Sequence, residues 1–167
     1  MTKNPDLWSG GCQCGAVRYE LSVRPDNPCI CHCRMCQKKF GNFFGAFAGS
    51  HSNNFRITRG TLAHFKSSED AIRGFCRDCG TPLTYEALSR PRVSVSIGSL
   101  DRHSEMKPIY QYGSEAMEPW LAQVMDIPCT MTGEGDNGEG DTPARYELIK
   151  QTNHQHPDHD TTVWPLP

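Results

Sequence analysis

Eight of the nine cysteines in this chain fall into three tight groups, and that clustering limits what the chain can fold into more than any other feature. Cys12-Gln13-Cys14-Gly15 forms the first group and Cys76-Arg77-Asp78-Cys79-Gly80 the last. Two thiolates one or two residues apart can bite a single ion from one turn. A glycine after the second lets the backbone take a positive φ and aim N–H groups at the sulfurs. Two such half-sites complete a tetrahedral centre of four thiolates, which clips distant parts of the chain together and contributes directly to folding. Buried free cysteines in turns are the plain alternative, but they have no reason to occur as glycine-terminated pairs. The spacings match neither common iron–sulfur pattern, so zinc is the expected ion.

The middle group is Cys29-Ile30-Cys31-His32-Cys33-Arg34-Met35-Cys36. Cys31, Cys33 and Cys36 can converge on one ion if Cys33 and Cys36 sit one helical turn apart. Three protein ligands leave a fourth tetrahedral position open, and that vacancy separates catalytic from structural zinc. Alternatively, Cys29 closes the site as a fourth thiolate and makes a second structural centre. Spacing alone leaves both readings open. His32 is expected to point away from its flanking cysteines, and Cys129 to be a free thiol.

The chain has 167 residues, the size of one ordinary domain. Its 17 basic and 19 acidic residues give a formal charge of -2, without the basic field of a nucleic-acid or anionic-membrane binder. No stretch approaches the ~20 apolar residues of a membrane span. The first residues lead to no apolar signal segment, so a cytoplasmic location is expected. There the cysteines stay reduced, which favours metal ligation over disulfides.

Short alternating runs mark the strands: Val17, Tyr19 and Leu21; Val93, Val95 and Ile97; Phe43 to Ala48; Phe55 to Thr58; Leu62 to Phe65; Thr81 to Tyr85. Aromatic and β-branched residues at period two indicate half-buried antiparallel strands. One or two helical turns are expected from Cys33 to Phe40 and from Pro119 to Val124. Beyond Ile127, the glycine-rich acidic run Gly133 to Asp141 reads as a flexible linker. Arg145 to Lys150 reads as a short strand, and His154 to His159 as a solvated polar tail.

At its cysteine motifs the sequence resembles the glutathione-dependent formaldehyde-activating enzyme family. The matching elements are Gly11-Cys12-Gln13-Cys14-Gly15 with Val17-Arg18-Tyr19, then Cys31-His32-Cys33-Arg34-Met35-Cys36. Phe75-Cys76-Arg77-Asp78-Cys79-Gly80-Thr81-Pro82-Leu83 and Gly98-Ser99-Leu100-Asp101 follow, and Pro108 and Pro119-Trp120 complete the series. The resemblance implies a mainly β fold of twisted antiparallel sheets, of β-tent type, stabilised by zinc and carrying one or two short helices. The family-like zinc domain would span residues 8–128, with residues 129–167 an appended linker and histidine-containing tail. Two zinc ions are implied: a structural one on Cys12, Cys14, Cys76 and Cys79, and a catalytic one on Cys31, Cys33 and Cys36. The implied activity is that of a carbon–sulfur lyase of the S-(hydroxymethyl)glutathione synthase type, joining glutathione or a related thiol to formaldehyde or another small aldehyde. Where the family commonly has arginine after the third catalytic cysteine, this chain has Gln37.

Zinc held by three thiolates has a formal charge of -1, which weakens it as a Lewis acid but leaves it able to take a soft ligand. Its favoured task is therefore to hold a substrate thiol as thiolate at neutral pH. His32, Arg34, Lys38 and Lys39 are the adjacent candidates to stabilise a developing oxyanion. Phe43, Phe44 and Phe47 either wall a pocket or pack in the core. A non-catalytic zinc module that binds a protein partner, sealed by Cys29, is the alternative function.

Overall fold

The computed structural model describes residues 6–129, 131–132 and 142–165. The Gly133 to Asp141 run lies outside them. The strands and helices are β1 (Trp8–Gly11), β2 (Arg18–Leu21), β3 (Asp26–Cys31), α1 (Arg34–Phe40), β4 (Gly45–His51), β5 (Phe55–Arg59), β6 (Ala63–Ser68), β7 (Ala71–Phe75), β8 (Pro82–Ala87), β9 (Arg92–Ser96), β10 (Tyr110–Tyr112) and α2 (Pro143–Thr152). The fold is mainly β, as expected. One sheet has three strands in the order β1-β2-β5, and the other has seven in the order β10-β3-β4-β9-β8-β7-β6. Neighbours pair antiparallel except β10, which runs parallel to β3, so the larger sheet is mixed.

Two compact units divide the described residues. The first holds residues 6–118 and 156–165, the second those between 119 and 155. In the first, Trp8, Tyr19 and Leu21 of the small sheet pack with Ala48, Leu83 and Val95 of the large one. Side chains alternate across β9: Val93 and Val95 are buried, while Arg92 and Ser94 line a cleft on the opposite face. The buried Arg18 guanidinium makes two bonds to Asp101, Nη1 to Oδ1 at 2.9 Å and Nη2 to Oδ2 at 2.6 Å. Tyr19 Oη and Ser99 Oγ lie 2.7 Å apart beside it. Together these contacts tie β2 to the Gly98-Ser99-Leu100-Asp101 segment through groups that burial obliges to find partners.

The expected solvated tail instead packs on the first unit at several points. His156 is buried; its backbone N–H bonds Gln13 O at 2.7 Å. Asp160 accepts from Arg18 Nε at 2.9 Å, and Trp164 Nε1 donates to Cys14 O at 2.8 Å. Gly15, at φ +78°, leaves the space that the His156 ring fills, which a side chain there would close. In the second unit, Leu121–Asp126 is a 3-10 helix near the expected turn. The strand expected over Arg145 to Lys150 is helical, because Thr142 caps α2 by accepting from Arg145 N–H and Pro143 opens its first turn.

Candidate active site

Cys12 and Cys14 come from the turn that follows β1, and Cys76 and Cys79 from the turn that follows β7. Each turn is closed by its glycine: Gly15 N–H bonds Cys12 O at 3.1 Å and Gly80 N–H bonds Cys76 O at 3.0 Å. Gly15 and Gly80 have φ of +78° and +76°, a region that costs other residues strain. The turn also aims the Val17 N–H at Cys12 Sγ, 3.2 Å away. All four sulfurs lie within 4.8 Å of one another, with Cys12–Cys14 at 3.6 Å and Cys14–Cys76 at 3.8 Å. A disulfide would need about 2.05 Å. Four sulfurs about 2.3 Å from a shared tetrahedral ion would be about 3.8 Å apart, so the cluster fits zinc.

Burial pushes the thiols of this cluster upward, and hydrogen bonds oppose it. It pushes the Cys12 thiol far above its ordinary value, against the Val17 N–H. At Cys79 burial also pushes upward, but the Thr81 hydroxyl at 3.1 Å, the Thr81 and Cys14 backbone groups and the Cys14 thiol pull the thiol down to about 6. Neighbouring thiolates in a half-buried pocket repel, and a cation between them relieves that repulsion.

Cys31, Cys33 and Cys36 also bring their sulfurs within 4.8 Å of one another. Cys31 ends β3, and Cys33 stands at the N-terminal cap of α1, where its carbonyl accepts from Cys36 N–H at 2.9 Å and Gln37 N–H at 3.1 Å. The expected one-turn spacing is therefore present. Arg73, a buried residue of β7, places Nη2 and Nη1 at 3.6 and 3.7 Å from Cys36 Sγ. Burial drives the Cys36 thiol up to about 12 against this charge. For Cys33, burial also pushes upward, but the Cys36 N–H, both neighbouring thiols and Arg73 hold it below its ordinary value.

The three cysteines open onto a cleft of about 510 Å3, walled by Phe47, Tyr85, Tyr110 and Tyr112. Cys29 also lines the cleft, opposite Tyr110 and Phe47 in register, but stays outside the converging group. The sealed-module alternative requires its sulfur there. His32 turns away as expected: its ring is buried, with Nε2 2.7 Å from Gln111 Oε1. Of the adjacent candidates His32, Arg34, Lys38 and Lys39, none lines the cleft; Arg34 bonds Gln37 Oε1 and Lys39 lies 4.0 Å over the Phe75 ring. Gln37 itself is buried and donates to Ala116 O at 3.0 Å. The charge beside the cysteines comes instead from Arg73, which the motifs did not single out. Its signal was an arginine in the otherwise apolar run Ala71-Ile72-Arg73-Gly74-Phe75, where a buried charge requires a partner. Phe47 walls the cleft, while Phe43 is exposed and Phe44 packs edge-on to His32.

A mixed β fold with a four-cysteine cluster, and a three-cysteine cluster facing a cleft, defines a class of protein able to hold two metal ions through sulfur alone. The family model described as glutathione-dependent formaldehyde-activating enzyme matches residues 7–115, and the chain belongs to that family. An uncharacterized lyase of Schizosaccharomyces pombe is 27% identical over 78 residues, covering 47% of this chain and 56% of that protein. The chain thus matches little more than half the length of this relative. A crystal structure of a Rhodobacter sphaeroides protein matches with a TM-score of 0.51 and 23% identity, over 62% of this chain and 98% of the other. That likeness concerns the fold. Among the described residues, no helix is long and apolar enough to cross a membrane.

Proposed function

We propose that this chain is a zinc-dependent carbon–sulfur lyase-type enzyme that joins glutathione, or a related small thiol, to formaldehyde or another small aldehyde. The observation that carries this reading is the three-cysteine group, backed by Arg73, at the wall of a cleft large enough for a peptide-sized thiol. Membership of the family and the lyase name of the yeast relative support the reaction class. Cys12, Cys14, Cys76 and Cys79 would hold a structural zinc, and Cys31, Cys33 and Cys36 a catalytic one. A zinc bound by three thiolates supplies a soft site that favours a fourth, exogenous sulfur in its thiolate form.

The chain's own residues do the rest. Arg73 offsets the negative charge that accumulates where four thiolates meet. Phe47 and Tyr85 exclude water from one side of the cleft. The phenols of Tyr110 and Tyr112 offer hydrogen bonds to an oxygen that gains charge. In the reaction a sulfur–carbon bond forms and the thiol proton ends on the former carbonyl oxygen, with no net oxidation. The nine free cysteines suit a reducing compartment such as the cytoplasm.

The test is zinc analysis with and without glutathione, combined with adduct formation over several small aldehydes. The reading expects near two zinc per chain and one aldehyde turned over in a thiol-dependent manner. Full zinc loading with no response to any thiol would remove it.

A further inference from the structure

The cleft lining contains three guanidinium groups, those of Arg73, Arg90 and Arg92, and no carboxylate. This occurs in a chain whose acids outnumber its bases, 19 to 17. A lining that carries guanidinium groups and no acidic side chain favours an anion. Strand register places the charges at separate points. Arg73 pairs with Tyr85, which pairs with Ser94; Arg92 stands two residues before Ser94 on β9, opposite Ala87. Arg73 and Arg92 are therefore two strands and two residues apart. Strand spacings of ~4.8 Å and a rise of ~3.3 Å per residue put their α-carbons about 12 Å apart.

Arg73 is engaged with Cys36 at the sulfur end of the cleft. Arg92 bonds Asp26 through Nη2, with both side chains about half exposed at 41% and 51%. An exposed pair of this kind is weak and can exchange partners. A guanidinium also has donors to spare, in a fork that matches a carboxylate. Arg90, in the turn between β8 and β9, adds a second cation at this end.

We propose that Arg92, assisted by Arg90, is the carboxylate anchor of the cleft, so that the site selects thiols whose carboxylate lies roughly 10 Å from the sulfur. This inference rests on the thiol-binding reading above and narrows it to extended acidic thiols, of which a γ-glutamyl peptide is the plain example. Small neutral thiols reach the cysteine end alone.

The experiment is calorimetric titration of the zinc-loaded full chain with glutathione, glutathione diethyl ester and 2-mercaptoethanol. Esterification should weaken binding about tenfold or more, because it removes the charge and keeps the thiol. Arg92→Gln should weaken glutathione about tenfold while leaving the ester within about twofold. Arg92→Lys should recover part of the loss. Asp26→Asn should tighten glutathione about threefold by freeing Arg92. An unchanged melting temperature in the Arg92 variants excludes misfolding as the cause. Glutathione binding that ignores both esterification and Arg92→Gln overturns the anchor while leaving thiol binding intact. Failure of all three thiols to bind overturns the thiol reading, and the anchor with it.

Discussion

The guanidinium nitrogens of Arg73 stand 3.6 and 3.7 Å from the sulfur of Cys36, and both side chains are buried. The charge arrives from β7, thirty-seven residues away in sequence, at the point where α1 presents its cysteine. Arg73 also lies 5.1 Å over the Tyr85 ring, which fixes the plane of the guanidinium. Replacing Arg73 by Gln removes the charge and keeps a polar side chain. Affinity of the zinc-loaded chain for glutathione should fall about tenfold, ~1.4 kcal/mol, in a titration. Zinc at the four-cysteine cluster should be retained.

The two clusters should respond differently to loss of one sulfur. Structural zinc sites supply ~10 kcal/mol or more of folding free energy, as much as the whole ~5–15 kcal/mol stability of a typical domain. Cys76→Ser, at a fully buried ligand, should abolish cooperative unfolding as followed by circular dichroism. Cys33→Ser should keep the fold, hold about one zinc per chain and lose glutathione binding.

Removing one partner of a buried ion pair leaves a buried charge alone, at ~3–5 kcal/mol. Asp101→Asn should therefore destabilise the first unit by about 3 kcal/mol in urea unfolding, at the lower end because Asp160 still bonds Arg18. Asp160 is 54% exposed, so Asp160→Asn should cost less than about 1 kcal/mol.

Much of this arrangement was legible because cysteine pairs followed by glycine admit few geometries. The four-sulfur cluster, the turn between Cys33 and Cys36 and the strands with clean alternation at Tyr19 and Val95 all follow from local rules. β3 was hidden by Asn27, at φ 46°, and Pro28, which interrupt the alternation with a bulge. β7 was hidden by Arg73 and Gly74, whose places make sense only beside Cys36 and Thr84. The cleft depends on strands pairing across the sheet, and local patterning carries no record of which strands become neighbours. The polar neighbours of His156 point to a solvated side chain. Its burial depends on the cavity over Gly15, which lies far away in sequence.

The docking of residues 156–165 should depend on pH through His156. Its Nδ1 lies 2.8 Å from Pro157 O, and its Nε2 faces Arg59 Nη1 at 3.3 Å and Thr161 Oγ1 at 3.1 Å. Burial first, then the charges of Arg18 and Arg59, holds the imidazole below its ordinary value, against Pro157 and Asp101. A histidine with a lowered folded pKa stabilises docking above the unfolded value of about 6.5 and loses that stabilisation as pH falls through the folded value. Amide protection at the His156 N–H, corrected for intrinsic exchange, should drop below about pH 6.5. His156→Gln should flatten the dependence.

Zinc-edge X-ray absorption on the purified chain tests directly whether one sulfur site is complete and the other takes a thiol. With four and three cysteine sulfurs, the mean count per zinc should be about 3.5. Glutathione should raise it to about 4. A mean of about 4 before any thiol is added, unchanged by glutathione, would contradict an open three-cysteine site.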